Sequence, residues 1–360
     1  MNQKQYVLYR DCKFSVESRY KIEKVLGKGS YGTVCSAIDS NSEEKLRVAI
    51  KKVSRIFERD VLLKRAIREL KLMRHFKGHK NIVNLIDIDI VYTTPYDGLY
   101  CMQEMADYDL SKVIYSSSQF SEFHIKNFMY QMLCGLKYIH SADVIHRDLK
   151  PGNILVTVHG VLKICDFGLA RGININYYQK KKFPQPITNY VATRWYRAPE
   201  LMLSSKNYGK AVDLWAVGCI LCEFYGRKPL FVGKDQMHQI NEILKVLGTP
   251  NREIINKYGW RYLNTRTRYE KIEFDKIYPF ASGYLIHMID NLLCWDPYER
   301  LDVNEALNHP FLKQVKSQFQ ESVCSKPFDF NFENEAITQS DLKKVLQQEV
   351  DSFKLERFRK

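Results

Sequence analysis

Two hydrophobic patterns divide this chain, and the change from one to the other is the strongest constraint on its fold. Before about residue 105, apolar β-branched runs such as Arg47–Val53 alternate with turns, which is typical of strands. From Ser121 onward, apolar residues recur at helical spacing, and Gln236–Leu247 and Tyr284–Leu293 repeat that pattern. A strand-rich first part and a helix-rich second part predict an α+β protein, and 360 residues suffice for two domain-sized units.

The composition is that of a globular protein with an excess of basic charge. Hydrophobic residues make up 45% and charged residues 27% of the chain, and the formal net charge is +14. Such a charge is compatible with nucleic-acid binding, but it is spread along the chain without a helix-turn-helix, zinc-finger or RNP signature. We therefore expect no nucleic-acid partner and attribute the charge to phosphates, acidic partners and a solvated surface.

Cysteine usage and hydropathy indicate a cytoplasmic or nuclear protein that does not enter a membrane. The nine cysteines have no regular spacing, which favours reduced thiols over disulfides. The one C-x-x-C pair, Cys219 and Cys222, lies in an apolar run, so helix packing is a better interpretation than zinc or redox chemistry. No apolar signal region follows Met1, and the most apolar stretch, Leu214–Cys222, is too short to span a membrane.

A glycine-rich hairpin tip is the first motif with a chemical meaning. Leu26–Val34 has the pattern G-x-G-x-x-G-x-V and lies between two predicted strands. Gly27, Gly29 and Gly32 would let the backbone approach phosphate oxygens without a Cβ clash. In a dinucleotide-binding fold a helix would follow this motif, whereas here another strand follows. The pattern therefore favours a phosphate-binding hairpin.

A lysine in the following strand predicts an ion pair. Lys51 lies inside the apolar run Arg47–Val53, where an unpaired ammonium would be costly to bury. Its candidate anions are nucleotide phosphates and a helix carboxylate. The segment Arg59–His75 has helical spacing and contains Glu69. We predict that Lys51 and Glu69 form the ion pair that positions a nucleotide.

The stretch Val144–Leu155 carries the densest set of chemical groups. It places an acid, a cation and an amide at Asp148, Lys150 and Asn153, and a second acid follows at Asp166 in Asp-Phe-Gly. An acid that faces an acceptor hydroxyl, a lysine that offsets charge, and an amide and an acid that hold metal ions suit phosphoryl transfer.

Taken in order over about Tyr20–Phe311, these motifs resemble those of the eukaryotic protein kinases. Ala198-Pro199-Glu200, Asp213 and Arg300 extend the match. The resemblance implies the bilobal protein-kinase fold, with a small mostly-β N-lobe and a larger mostly-α C-lobe. The implied boundaries are 1–19 for an N-terminal extension, 20–105 for the N-lobe, 106–311 for the C-lobe with an insert near 234–270, and 312–360 for a C-terminal extension packing back on the N-lobe.

The resemblance also implies ATP and Mg²⁺ as cofactors and gives each site residue a role. Asp148 would orient the substrate hydroxyl, Lys150 would steady the γ-phosphate, and Asn153 and Asp166 would hold Mg²⁺. The nucleotide pocket would be formed by Leu26, Gly27, Gly29, Gly32, Val34, Ala49, Lys51, Gln103, Glu104 and Met105.

A Thr-Asn-Tyr segment narrows the resemblance to the mitogen-activated protein (MAP) kinases, and among them to the fungal sporulation-specific type. Thr188 and Tyr190 would be phosphorylated by an upstream MAP kinase kinase or another activator. The phosphates would be held by arginines, namely Arg68, Arg147 and Arg171 for Thr188, and Arg194 and Arg197 for Tyr190. The resemblance further implies a monomer, Ser/Thr-Pro substrates and a role in meiosis and sporulation.

Two alternative functions remain, and the docking region departs from the MAP kinase pattern. A cyclin-dependent-like kinase would lack the Thr188-x-Tyr190 pattern, and a pseudokinase scaffold would have lost catalytic groups that are present here. The MAP kinase resemblance also implies an acidic docking patch that binds basic peptides. Here Ser317 and Gln320 stand where acids are expected and only Glu321 remains, so we expect weak steering of basic docking peptides.

Overall fold

The chain folds into two compact units, each with its own core. The computed structural model describes residues 4–9, 12–29, 32–173, 193–203, 208–265, 267–336 and 338–358. The first unit comprises Met1–Asp107, Cys165–Gly168 and Phe328–Lys360, and the second comprises Tyr108–Ile164 and Leu169–Pro327. The mostly-β first unit and mostly-α second unit confirm the predicted fold class.

Strands and helices follow the predicted order. The strands are β1 (Lys4–Tyr9), β2 (Cys12–Glu17), β3 (Tyr20–Gly29), β4 (Gly32–Asp39), β5 (Arg47–Val53), β6 (Leu85–Val91), β7 (Gly98–Glu104), β8 (Tyr108–Asp109), β9 (Val144–Ile145), β10 (Ile154–Val156), β11 (Leu162–Ile164) and β12 (Arg171–Gly172). The helices are α1 (Asp60–His75), α2 (Leu110–Ile114), α3 (Glu122–Ser141), α4 (Pro199–Leu203), α5 (Ala211–Gly226), α6 (Gln236–Leu247), α7 (Arg252–Tyr258), α8 (Phe274–Ile277), α9 (Gly283–Leu292), α10 (Val303–Leu307), α11 (Phe332–Glu335) and α12 (Gln339–Phe358).

The first unit is built on a five-stranded antiparallel sheet in the order β3-β4-β5-β7-β6. The hairpin β1–β2 covers one face of this sheet, and Phe14 and Val16 of β2 are fully buried against it. Cys35, Ile50 and Tyr100 from three neighbouring strands belong to the same apolar cluster. Alternation along the strands places this cluster on one face and leaves the opposite face for other residues.

Two helices complete the first unit. Helix α1 buries Leu63, Ile67, Leu70 and other apolar residues at helical spacing, as the sequence predicts. Helix α12 buries a stripe of its own, consisting of Leu342, Leu346, Val350 and Phe353. It packs on α1 and β6 and is tied to them by ion pairs, among them Arg74 Nη1 to Glu349 at 2.6 Å and Lys354 Nζ to Asp89 at 2.9 Å.

The second unit is mostly helical. Helix α3 begins at a Ser121 cap that accepts a hydrogen bond from the backbone N–H of His124. Helix α5 is buried along nearly its whole length, and it packs on α3 and α9. Cys219 and Cys222 lie in this buried helix as free thiols, which confirms the packing interpretation. Two small sheets, β8-β10-β11 and β9-β12, carry the loops of the site.

The structure differs from the predicted boundaries in three places. The apolar run Asn81–Val91 is typical of a strand, but β6 begins only at Leu85, because 81–84 form a turn and an irregular approach to the sheet. Cys165–Gly168 packs with the first unit although the sequence placed it in the C-lobe, and residues 312–327 pack with the second unit rather than the N-lobe. No helix in the described part of the chain is long and apolar enough to cross a membrane.

Candidate active site

Strand register gathers the predicted nucleotide-binding residues of the first unit on one face of its sheet. Val34 lies opposite Lys51, and Ala49 lies opposite Gln103. Because side chains alternate along each strand, these four project from the face opposite the hairpin β1–β2. Leu26, which precedes the hairpin tip, is half-buried like Val34 and Ala49. An apolar surface that surrounds one ammonium group is suited to an adenine nucleotide.

Of the three glycines in the motif, Gly32 is the one that packs closely against the next strand. Gly27 lies opposite Val34, and Gly29 lies opposite Gly32. A Cβ on Gly32 would come 2.1 Å from the carbonyl oxygen of Lys52, so a side chain does not fit there without a backbone shift. The third glycine of the motif is therefore required by packing, whether or not a phosphate binds at the tip.

The predicted ion pair is present, and a second acid accompanies it. Lys51 Nζ contacts Glu69 Oε1, and the carboxylate of Asp166 also acts on this ammonium. Burial alone would lower the pKa of Lys51, but Glu69 and Asp166 outweigh it and raise the pKa above its ordinary value. Asp166 has a positive φ of 64° and accepts a 3.4 Å hydrogen bond from the Gly168 N–H. Its carboxylate is also 3.9 Å from Arg65 Nη2.

Arg68 has a buried carboxylate partner that the sequence analysis missed. Its Nε lies 2.5 Å from Glu333 Oε1, and its Nη1 donates a 2.8 Å hydrogen bond to the carbonyl of Gly168. Both side chains of the pair are almost fully buried. The resemblance assigned Arg68 to phospho-Thr188, which lies outside the described residues. In this structure the guanidinium of Arg68 is instead engaged by α11.

Three of the residues predicted to form the nucleotide pocket lie at the end of β7, where Gln103 and Glu104 are its last two residues and Met105 follows it. Gln103 is buried, and its amide nitrogen donates to the sulfur of Met73 at 3.2 Å. The Glu104 N–H donates to the carbonyl of Asn84, and the Glu104 carboxylate accepts from the Asn84 N–H at 2.7 Å. An adenine contact in this segment would therefore use a group other than the Glu104 N–H, such as the backbone of Met105.

In the second unit, one loop brings three predicted catalytic residues together. Asp148 Oδ2 accepts a 2.8 Å hydrogen bond from Lys150 Nζ and another of 2.8 Å from Asn153 Nδ2. The same amide nitrogen donates to the Asp148 carbonyl at 2.8 Å. Asn153 ends a short 3₁₀ turn that begins at Pro151, whose ring favours the start of such a turn. The Asp148 carboxylate is thus fixed from two sides.

Asp213 of α5 holds the backbone of this loop. Its two carboxylate oxygens accept 2.8 Å hydrogen bonds from the N–H groups of His146 and Arg147, and His140 Nε2 lies 2.9 Å away. Burial would raise the pKa of Asp213, but these hydrogen bonds and His140 bring it below its ordinary value. Arg147 adopts a φ of 68°, and the bonds from Asp213 stabilise this unfavourable backbone conformation.

The remaining arginines of the predicted phosphate sites lie in the second unit. Burial lowers the pKa of Arg197, Asp148 opposes that shift, and Arg194 and Arg147 add to it. The three cations therefore interact repulsively. Arg147 Nη1 also donates to the Tyr208 hydroxyl at 2.6 Å. Arg171 Nη1 donates to the Ala170 carbonyl at 2.9 Å, and Tyr190 lies outside the described residues.

The Ala-Pro-Glu motif has a structural role in the same unit. Glu200 forms a fully buried pair with Arg300, with contacts of 2.7 and 3.3 Å. Arg300 also donates to the carbonyls of Ala211 and Cys294. This pair fixes the start of α4 to the loop before α10.

The proposed metal ligands fit a hard cation in chemical type. Among the described residues there is no cluster of three or more His, Cys, Asp or Glu side chains that could bind a metal. The predicted set relies on fewer protein ligands, Asp166 and Asn153. Since the Asn153 amide nitrogen is used by Asp148, its oxygen is the atom suited to Mg²⁺, which takes few protein oxygens and keeps several waters.

Comparison with known proteins places these motifs in a family. The protein kinase domain model matches residues 20–312. The sporulation-specific mitogen-activated protein kinase SMK1 of Saccharomyces cerevisiae is 57% identical over 358 residues, which cover 97% of this chain and 92% of that protein. The mitogen-activated protein kinase SLT2/MPK1 of the same yeast is 47% identical, with 95% and 71% covered. Mitogen-activated protein kinase mpkA of Aspergillus fumigatus is 45% identical, with 95% and 80% covered. These names favour the MAP kinase resemblance over the cyclin-dependent-like alternative.

Proposed function

The chain belongs to the protein kinase family, as a serine/threonine kinase of the mitogen-activated group, and we propose that it phosphorylates serine or threonine followed by proline. The family uses ATP as phosphoryl donor and Mg²⁺ as metal. We further propose that phosphorylation of Thr188 and Tyr190 by an upstream kinase activates it. A relative that is 57% identical is named for sporulation, which supports a role in meiosis and spore formation.

The Asp148 carboxylate, held by Lys150 and Asn153, carries this proposal. Two donors fix its orientation, so one face of the carboxylate can receive the hydrogen of a substrate hydroxyl. A carboxylate is a weak base near neutral pH, so the main contribution of Asp148 is to align the hydroxyl. Lys150, beside it, offsets negative charge that develops during transfer.

In the first unit, Lys51 supplies a fixed positive charge for the donor phosphates. Glu69 and Asp166 keep its ammonium protonated, and Glu69 fixes its position on the sheet face that carries Val34 and Ala49. Bound Mg²⁺ would neutralise part of the phosphate charge. Placement and electrostatics of this kind, rather than covalent chemistry, provide most of the rate enhancement in phosphoryl transfer.

Activation is supported by the mutual repulsion of three arginines. A phosphate group adds about −1.5 to −2 charge and accepts bidentate hydrogen bonds from arginine. Arg147, Arg194 and Arg197 repel one another in the second unit, so a phosphate among them would remove an unfavourable interaction. Arg68 differs, because a phosphate that recruits it must compete with the buried carboxylate of Glu333.

The docking region bears on how this chain selects its activator and substrates. Glu321 is the remaining acid where a docking patch is expected. It accepts 2.7 Å hydrogen bonds from Lys137 Nζ and the Tyr130 hydroxyl. Its charge is therefore already compensated, and we propose that activator and substrate selection use another surface. Micromolar binding of a basic docking peptide, abolished by Glu321→Lys, would contradict this.

The catalytic proposal is tested with the full chain, Mg-ATP and a Ser-Pro peptide. Asp148→Asn should lower kcat by about 10²–10⁴-fold, because the aligned acceptor of the hydroxyl proton is lost. Asp275→Asn, which removes an exposed carboxylate of α8, is the matched control and should keep normal turnover. A Ser-Ala peptide should react more slowly than the Ser-Pro peptide. Equal turnover of the two variants would refute the proposed role of Asp148, and absence of turnover in the unsubstituted chain would favour a scaffold.

The regulatory proposal needs a separate measurement. Mass spectrometry of the chain expressed without any partner would show whether Tyr190 or Thr188 is self-modified. The doubly phosphorylated form should have higher kcat than the unphosphorylated form, and Thr188→Ala should remove most of the gain. A gain that survives Thr188→Ala together with Tyr190→Phe would refute activation at these positions.

A further inference from the structure

The face of the five-stranded sheet opposite the nucleotide-binding residues carries a second group of cations. Lys28 lies opposite Thr33 on the neighbouring strand, and Thr33 lies opposite Lys52. Because Lys51 and Lys52 are adjacent in β5, their side chains project from opposite faces. We propose that Lys13, Lys28 and Lys52 form a second anion site, which binds a phosphate group and is separate from the nucleotide face.

The geometry of the site comes from three strands and the hairpin that covers them. A cavity of about 320 Å³ is lined by the three lysines and by the hydroxyl-bearing residues Thr33 and Ser54. Of the described residues that line it, none is acidic. Its volume lies at the small end of ligand-binding pockets, which suits a single phosphate group rather than a whole nucleotide.

Lys52 is the buried anchor of this site. The residue is 6% exposed, and its Nζ donates to the carbonyls of Lys13 at 2.9 Å and Pro95 at 3.2 Å. Its ammonium also lies 5.7 Å from the centre of the Tyr100 ring. These contacts hold the charge in place but do not neutralise it. An ammonium has three donors, so one further hydrogen bond remains for a ligand in the cavity.

The charge of Lys52 is only partly offset by the protein. Burial lowers the pKa of Lys52, the carboxylate of Asp97 opposes this, and Lys13 adds to it. Among the described residues, neither Lys52 nor the exposed side chains of Lys13 and Lys28 have an ion-pair partner. Lys13 and Lys28 line the same cavity as the buried Lys52 ammonium, and like charges at close range repel one another. A dianionic phosphate would relieve this repulsion and accept hydrogen bonds from the lysines and the hydroxyl of Thr33.

The test is phosphate binding by the full chain with its nucleotide site saturated by Mg-ADP. The apparent affinity for inorganic phosphate is measured from the shift in unfolding midpoint at constant ionic strength. The double variant Lys13→Gln/Lys28→Gln should bind about tenfold more weakly or worse, since two charge-assisted contacts are lost. The control Lys21→Gln/Lys24→Gln removes the same charge from exposed positions of β3 and should bind normally.

Equal losses in both double variants would show a general charge effect and overturn the site, as would the absence of any phosphate-dependent shift. Asp97→Asn should tighten phosphate binding, because a carboxylate that repels the phosphate is removed.

A phosphoserine peptide and its unphosphorylated copy identify the source of the phosphate. Tighter binding of the phosphopeptide than of inorganic phosphate indicates a phosphorylated protein, and equal binding indicates a free phosphate. Equal binding of both peptides overturns phosphate recognition. No turnover is measured, so the result is independent of the Asp148→Asn assay.

Discussion

The two faces of the five-stranded sheet present neighbouring lysines in opposite electrostatic settings. Lys51 projects from the face of the nucleotide-binding residues and contacts Glu69, with Asp166 as a second acid. Lys52 projects from the other face, where its hydrogen bonds go to carbonyls. The pKa of Lys51 is raised and that of Lys52 is lowered. Adjacent residues of the same type therefore differ because the carboxylates beside Lys51 outweigh the effect of burial on its pKa, whereas the Asp97 carboxylate does not do so for Lys52.

This difference would let one strand serve the proposed nucleotide site on one face and the proposed phosphate site on the other. A shift of one residue along β5 changes the face, the neighbours and the net charge around an ammonium. On the Lys51 face, charge is balanced before any ligand binds, so that face can hold a nucleotide in a fixed geometry. On the Lys52 face, charge is balanced by a ligand, so binding itself should stabilise the unit.

The largest effect should come from removing the partner of Lys51. Glu69→Gln should lower kcat/KM for Mg-ATP by about 100-fold, because the ammonium loses the carboxylate that fixes its position. Phosphate binding on the Lys52 face should be unchanged, since the two side chains lie on opposite sides of the sheet. Peptide phosphorylation and the phosphate titration measure these two effects. Glu44→Gln, at an exposed loop position, is the control. Loss of both activities in Glu69→Gln would show that the faces are not independent.

The ion pair on the proposed nucleotide face was predictable from sequence because its signals are local. A lysine in an apolar strand and a carboxylate in an amphipathic helix indicated the Lys51–Glu69 pair, and α6 begins and ends where its periodicity predicts. The partner of Arg68 was not predictable, since Glu333 is 265 residues away. The lysine site was missed for the same reason: Lys13 lies in a hairpin that the sequence analysis treated as a simple extension.

A smaller effect, on stability, is expected from the other paired cation of the first unit. Arg68 and Glu333 are both buried, so Glu333→Gln leaves a guanidinium without its counter-charge. We expect the free energy of unfolding to fall by about 2–3 kcal/mol. Glu335→Gln, two residues away and exposed on the same helix, should have little effect. Urea unfolding of the two variants measures the difference. Equal stability of Glu333→Gln and Glu335→Gln would contradict the expected contribution of the Arg68–Glu333 pair.

The smallest effect should be on the pH dependence of the free energy of unfolding, to which the two lysines contribute differently. Because the pKa of Lys52 is lower in the folded state than its ordinary value of 10.5, the folded chain releases this proton first and gains stability as pH approaches 10.5. The pKa of Lys51 is raised, so its contribution is complete below 10.5 and is lost only above it. Between pH 7 and 10, the stability of the unsubstituted chain should therefore rise relative to Lys52→Met and stay level relative to Lys51→Met.

At pH 7, Lys52→Met should differ from the unsubstituted chain by about 1 kcal/mol or less, since a buried cation without an ion-pair partner among the described residues is replaced by an apolar chain of similar length. Urea unfolding at several pH values measures both differences, and parallel slopes for the two variants would contradict the contrast between the faces.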